Sequence, residues 1–271
     1  MKQVFEQYLE RLATFEGRDE DLVRIERYSL YPTMFYRTNL LRHSRRVGRM
    51  TAEVVSASKE ILGATFDGER AIALALVHDD AEIVFGDIQA GNKSKMTEEQ
   101  LKEVELAEQR AIDEVIKRFP EYLGSYRYQD LLKEGADLTS LESRVVKCID
   151  KFDAFGEALH EVYAGNTAFT TNVVNEYGTI PIPPDYYVSW YQEFYKKHPN
   201  LEIFQKIGTP FTKAEDKPFR EMVKQGVPHT SSSIGIPSGY PHYDWWKDIL
   251  TRAFQDDEIS FLTTQKEFLR A

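Results

Sequence analysis

Apolar residues recur along most of this chain at the three- and four-residue spacing of amphipathic helices. Val4, Phe5, Tyr8, Leu9, Leu12 and Phe15 predict an opening helix over residues 2–15, and Leu40, Val47, Met50, Val54 and Ile61 predict another over 40–62. The stretch from Glu69 to Phe85 is different. Ala71 through Val77 is apolar without interruption, and His78, Asp79, Asp80, Ala81 and Glu82 follow before Gly86, a residue suited to ending a helix. Thr97 and Gln100 form a capping box, with Met96 and Leu101 placed as a hydrophobic staple, and predict a long helix running to Phe119 and stopped by Pro120. A further helix is expected from Thr139, with Glu142 at the capping-box position, to Gly165-Asn166; its inward stripe is Leu141, Val145, Ile149, Phe152, Leu159 and Val162.

Residues 121–138 are mixed in pattern, and Ile88 to Lys95 reads as a loop. Past Asn166 the character changes. Gly and Pro punctuate residues 177–184, Asp185 is placed to cap a short aromatic helix over 186–195, and residues 199–226 alternate short patterns with breakers. A loop rich in Gly, Pro and Ser follows from Gly226 to Tyr243, and Asp244 opens a last helix to Phe254. No alternating run rich in Val or Ile reaches strand length, so the expected fold is all-α: a helical bundle over residues 1–176 with a mostly helical and irregular extension over 177–271.

With 271 residues the chain can bury a core without staples, and its single cysteine, Cys148, lies in an apolar helical pattern with no partner for a disulfide. The lone cysteine makes a reducing cytoplasm the expected location, and a soluble protein is expected, since no run of about 18 apolar residues occurs and the first residues lack a signal-peptide core. The formal charge of −10 opposes binding to nucleic-acid polymers or anionic membranes. It leaves room for a small anionic substrate where a metal and a few basic groups reverse the field.

The apolar run carries the chemistry. It delivers His78 and at least one carboxylate to the edge of a core, where charge is costly and a divalent cation is the cheapest compensation. If the helix continues, Glu82 shares a face with His78 and Asp79. His43 falls on the inward stripe of the preceding helix, as a hydrogen-bonded core residue or as a second ligand. Asp150 stands beside the stripe of its own helix, where an ion pair with Lys147 is the alternative role and Asp153 is a competing candidate. Two imidazoles and two carboxylates suit manganese, cobalt, iron, nickel or zinc better than calcium, with magnesium a further candidate. Lys93 and Lys95 are available to an anion or are simply solvated.

The pattern of His43, then His78-Asp79, then Asp150 in an all-helical chain resembles the HD-domain metal-dependent phosphohydrolases. The strings Arg42-His43-Ser44, Val77-His78-Asp79-Asp80-Ala81-Glu82-Ile83, Phe85-Gly86-Asp87-Ile88 and Val146-Lys147-Cys148-Ile149-Asp150-Lys151-Phe152-Asp153-Ala154 are similar to the branch containing bacterial 5′-deoxyribonucleotidases, as is Ala164-Gly165-Asn166. The resemblance implies that His43, His78, Asp79 and Asp150 bind one divalent metal. It also implies that Glu82 orients or deprotonates the attacking water and that Asp87 supports the site or contacts the sugar. Arg27 and Tyr28 match an Arg-aromatic pair that holds phosphate and packs near sugar and base, and Lys93 matches a basic residue approaching the phosphate. Arg42 stands where the branch commonly has an acid, and Tyr28 where it commonly has tryptophan.

The activity so implied is release of phosphate from deoxyribonucleoside 5′-monophosphates. The same metal constellation also serves triphosphohydrolases acting on dNTPs. A reading from another class is a helical nucleotide-binding or scaffolding protein with a structural metal. The extension is expected to act as a lid, a substrate filter or an oligomer interface, with a homodimer as the candidate assembly. A second metal is not expected, because no further histidine lies between His78 and Asp150.

Overall fold

Helices carry the architecture in the computed structural model, which describes residues 1–32, 34–88, 90–164, 166–201 and 241–253. In chain order they are α1 (Lys2–Leu12), α2 (Arg18–Arg24), α3 (Leu40–Leu62), α4 (Gly68–Val77), α5 (Glu82–Phe85), α6 (Ala90–Lys93), α7 (Glu98–Arg118), α8 (Tyr128–Asp137), α9 (Leu141–Tyr163), α10 (Pro183–Lys197) and α11 (Pro241–Ala253). The all-α expectation is borne out apart from two small antiparallel hairpins. These pair β1 (Tyr122–Leu123) with β2 (Tyr126–Arg127), and β3 (Val173–Asn175) with β4 (Gly178–Ile180). Both are too short for an alternating pattern to reveal them. Contacts divide the chain into residues 1–29 with 38–150, and residues 30–37 with 151–271; the pattern-based boundary at 176 falls inside the second unit. The expected breakers of residues 202–226 and most of the loop up to Tyr243 lie outside the described residues.

In the first unit α4 is the central element, packed against α1, α3 and α8. Its residues Ala71 to Val77 are all buried. Alternating alanines keep this helix thin, and Gly48 of α3 completes the close approach: a Cβ there would meet the Leu76 side chain at 2.7 Å. The start of α4 is fixed as firmly. Asp67 caps it by accepting from the backbone N–H groups of Glu69 (3.1 Å) and Arg70 (3.0 Å), and also accepts from the Tyr126 hydroxyl (2.8 Å).

Several helix ends differ from the pattern reading. The Thr97–Gln100 capping box is present, with both reciprocal bonds made. The start of α9 instead uses Ser140 and Ser143, each side chain accepting from the other's backbone N–H at 2.9 and 3.2 Å. Glu142, expected at the capping-box position, accepts from the Asp67 backbone N–H at 2.6 Å and so ties α9 to the start of α4. α10 begins at Pro183-Pro184, whose fixed φ and missing N–H suit a first turn, and Asp185 lies inside it rather than capping it. α2 was not apparent, because its polar sequence buries only Arg18 and Leu22. Four residues of the expected 88–95 loop form α6.

The second unit takes up the aromatic residues as core. Tyr187, Tyr191, Phe194, Tyr195, Tyr243 and Trp246 are buried. His242 lies between the rings of Phe152 and Phe155, at centroid distances of 3.9 and 4.5 Å, and burial pushes its imidazole down to about 3. Trp246 packs on Gly156 and donates from Nε1 to Asp153 Oδ1 at 2.8 Å. A Cβ at Gly156 would come within 2.3 Å of the indole. Gly156→Ala is therefore expected to destabilise this unit by about 1–3 kcal/mol through overpacking, read from urea unfolding followed by tryptophan fluorescence. An unchanged midpoint would show that the indole moves aside without cost. Glu161 accepts from the backbone N–H groups of Phe35 (2.9 Å) and Tyr36 (2.6 Å) and from Asn166 Nδ2 (2.7 Å), which gives the Asn166 of the Ala164-Gly165-Asn166 string a structural task. No helix among the described residues is long and apolar enough to cross a membrane.

Candidate metal centre

The helix carrying His78 does not continue to Glu82. It ends at Val77, and residues 78–81 form a tight turn with Asp80 N–H on Val77 O (3.0 Å) and Glu82 N–H on Asp79 O (2.9 Å) before α5 starts. The cause is Arg18. Buried in α2, its guanidinium donates from Nε and Nη2 to the two oxygens of Asp80, both at 2.7 Å, and from Nη2 to the Leu76 carbonyl at 2.6 Å. Leu76 O is one of the carbonyls that a helix C-terminus leaves without an intrahelical partner, and a cation there also complements the helix dipole. The Tyr128 hydroxyl adds a third bond to Asp80, at 2.7 Å. Arg18 thus holds the residues on either side of His78-Asp79. Sequence reading missed this anchor; its one signal was a second aspartate directly after an apolar run.

With Asp80 turned into the protein, His78 and Asp79 face the other way. His78 Nδ1 lies 2.8 Å from the Ala75 carbonyl, which can only accept, so Nδ1 carries the proton and Nε2 presents its lone pair. That Nε2 is buried and makes no hydrogen bond among the described residues. It stands 3.2 Å from Asp79 Oδ2, while His43 Nε2 stands 3.5 Å from the same oxygen and 3.3 Å from Asp150 Oδ1. One donor atom each from His43, His78 and Asp150 lies within 4.8 Å of the other two. The four residues predicted as ligands are therefore brought together, from α3, the turn after α4, and α9. Lone pairs of neutral imidazoles aimed at carboxylates repel unless a cation sits among them, so this nitrogen and oxygen donor set fits a divalent metal.

The residues around the cluster also fall near it. Glu82 Oε2 is buried with no hydrogen-bond partner among the described residues. Burial, and then the charges of Asp79 and Asp87, push its carboxyl well above the usual range against the opposing pull of Lys93 and Arg27. Burial acts to raise Asp79 too, but His78 and His43, when protonated, outweigh it and hold that carboxyl low. Arg27 Nη1 is 4.0 Å from Asp79 Oδ2, and its guanidinium carbon is 5.8 Å from the Tyr28 ring centre. Residues 25–27 pair with 38–40 through Leu40 N–H on Ile25 O and Arg27 N–H on Thr38 O, which fixes this segment beside the start of α3. Tyr28 is buried and adopts a left-handed backbone, with φ of 55°, uncommon for a bulky residue. Lys93 is half-buried in α6, whereas Lys95 is exposed. The ion pair weighed for Asp150 is observed, with its Oδ2 2.9 Å from Lys147 Nζ, while its Oδ1 faces His43.

An all-helical chain that converges His43, His78-Asp79 and Asp150 on one point has the defining features of the HD-domain class of metal-dependent phosphohydrolases. A family model described as 5′-deoxynucleotidase YfbR-like matches residues 17–191, and the chain belongs to that family. Among its relatives, a 5′-deoxynucleotidase of Shewanella oneidensis is 35% identical over 156 residues, spanning 55% of this chain and 76% of the relative. The 5′-deoxynucleotidase YfbR of Escherichia coli is 29% identical over 134 residues, spanning 48% and 64%. A conserved hypothetical protein from Pyrococcus furiosus is similar in structure with a TM-score of 0.46 at 21% identity, covering 67% of this chain and 98% of that one.

Proposed function

We propose that the protein hydrolyses deoxyribonucleoside 5′-monophosphates to the deoxyribonucleoside and phosphate, using one divalent metal held by His43, His78, Asp79 and Asp150. The convergence of these four side chains, with a Glu82 carboxylate oxygen nearby that has no hydrogen-bond partner among the described residues, carries the proposal. When bound, the metal supplies Lewis-acid stabilisation of charge developing on the phosphoryl oxygens. Its mixed donor set favours manganese, cobalt, iron, nickel or zinc.

The remaining work falls to the chain. Arg27, on the Asp79 side of the cluster, offers a planar pair of donors to the phosphate, and Lys93 adds a point charge. Glu82 accepts the proton of the attacking water, a role suited to a carboxyl raised by burial above its usual range. The oxygen of water bonds to phosphorus, the bond from phosphorus to O5′ breaks, and O5′ takes a proton from solvent water while Glu82 gives up its own to solvent. Asp87 acts behind Glu82, and the aromatic ring of Tyr28 packs against the nucleoside. Cys148, buried and the single cysteine of the sequence, fits a reducing cytoplasm.

Phosphate release from dAMP, dGMP, dCMP and dTMP with manganese, cobalt or magnesium, against EDTA, tests this reading. Metal-dependent turnover abolished by EDTA is expected. Release of triphosphate from dNTPs with no monophosphate turnover would assign the rival activity, and silence on all substrates by metal-loaded protein would favour a binding protein.

A further inference from the structure

Asp150 shares its two carboxylate oxygens between different tasks. Oδ1 faces His43 Nε2 at 3.3 Å, while Oδ2 faces the Nζ of Lys147, one turn earlier on α9, at 2.9 Å. The carboxylate is buried and Lys147 is partly exposed, so the lysine reaches in from the margin of the cluster. The ion pair is short, local to one helix turn and geometrically simple, and it engages the oxygen other than the one set 3.3 Å from His43 Nε2.

Resting on the metal-binding reading above, we infer that Lys147 is a positioning residue that makes Asp150 a one-oxygen donor and thereby sets which divalent cation the site prefers. The physical basis is coordination number. Calcium takes six to eight oxygens and gains from carboxylates that bind through both, whereas first-row cations such as manganese are served by fewer, single donors alongside imidazole. An ammonium holding Oδ2 withholds the second oxygen from the ion. Lys147 also contributes a positive charge that repels every divalent cation equally, so absolute affinity mixes the two effects. The ratio of affinities for two ions of equal charge does not, because the charge effect cancels.

The test is the ratio of calcium to manganese dissociation constants, measured calorimetrically on the full chain for the wild type, Lys147→Met and Lys147→Arg. Lys147→Met frees Oδ2 and is expected to cut the preference for manganese by about 10-fold, in the range for partners that orient metal ligands, while Lys147→Arg keeps it within a few-fold. Circular dichroism and thermal unfolding in EDTA check that each variant is folded. Equal shifts of both constants in Lys147→Met, leaving the ratio unchanged, would reduce Lys147 to a background charge and overturn the inference while leaving the metal site intact. Wild-type protein that binds neither ion would remove the metal site and the inference together.

Discussion

Arg18→Met is expected to destabilise the first unit by about 3–5 kcal/mol, because among the described residues it leaves the buried Asp80 carboxylate with the Tyr128 hydroxyl as its one hydrogen-bond donor. Arg18 and Asp80 are both essentially inaccessible, at 2% and 0% exposure, so water cannot take the guanidinium's place. The loss should depend on pH with a definite sign. Burial pushes the Asp80 carboxyl up, and Arg18 opposes it through charge and hydrogen bonds. Without Arg18 the folded protein holds the Asp80 proton to higher pH than the unfolded chain does. Stability of the variant is then best retained below the carboxyl's unfolded pKa and declines as pH rises through its folded value. Urea unfolding of wild type and variant from pH 4 to 8 measures this. Adding Asp80→Leu should recover much of the loss, since a buried pair replaced by apolar residues costs far less than a buried charge without its partner. A loss below about 1 kcal/mol at pH 8, the size expected of a surface pair, would mean that the anchor is not what holds the turn. The same variant should bind metal weakly even where it is folded, because Arg18 grips Leu76 and Asp80 on either side of His78-Asp79.

Glu82→Gln is expected to lower kcat by about 10²- to 10⁴-fold, the usual contribution of a positioned general base. The amide preserves the size of the side chain and cannot take a proton, so the loss should appear in kcat with little change in KM. Metal content should stay near that of wild type, because Glu82 lies beside the four donors and is not counted among them. Kinetics on dAMP together with metal analysis of the purified variant separate the possibilities. Loss of metal along with activity would make Glu82 a ligand, and retention of more than a tenth of kcat would remove it from proton transfer.

The sequence was most informative where local pattern and burial coincide. The apolar run Ala71–Val77, the stripe bearing His43 and the Thr97–Gln100 box all fold as their periodicity requires, because each feature is encoded within one or two turns of chain. Reading failed at helix ends set by distant partners. Glu142 looked like the partner of a cap by spacing and is instead claimed by the Asp67 backbone, while Ser140 and Ser143 bond reciprocally at the start of the helix. α2 was invisible because a helix that buries an arginine has no apolar stripe to read.

By itself the sequence determined an all-helical fold and a short list of candidate donors that includes His43, His78 and Asp150, since hydrophobic periodicity and metal-ligating residue types are properties of residues and their spacing. Only the tertiary structure decided which aspartate of His78-Asp79-Asp80 faces the site. Nothing in the spacing separates Asp79 from Asp80; Arg18, 62 positions from Asp80, neutralises one of them in the interior and leaves the other to the metal cluster. It likewise decided that Asp150 meets both His43 and Lys147, because a carboxylate has two oxygens and only packing fixes where each one points.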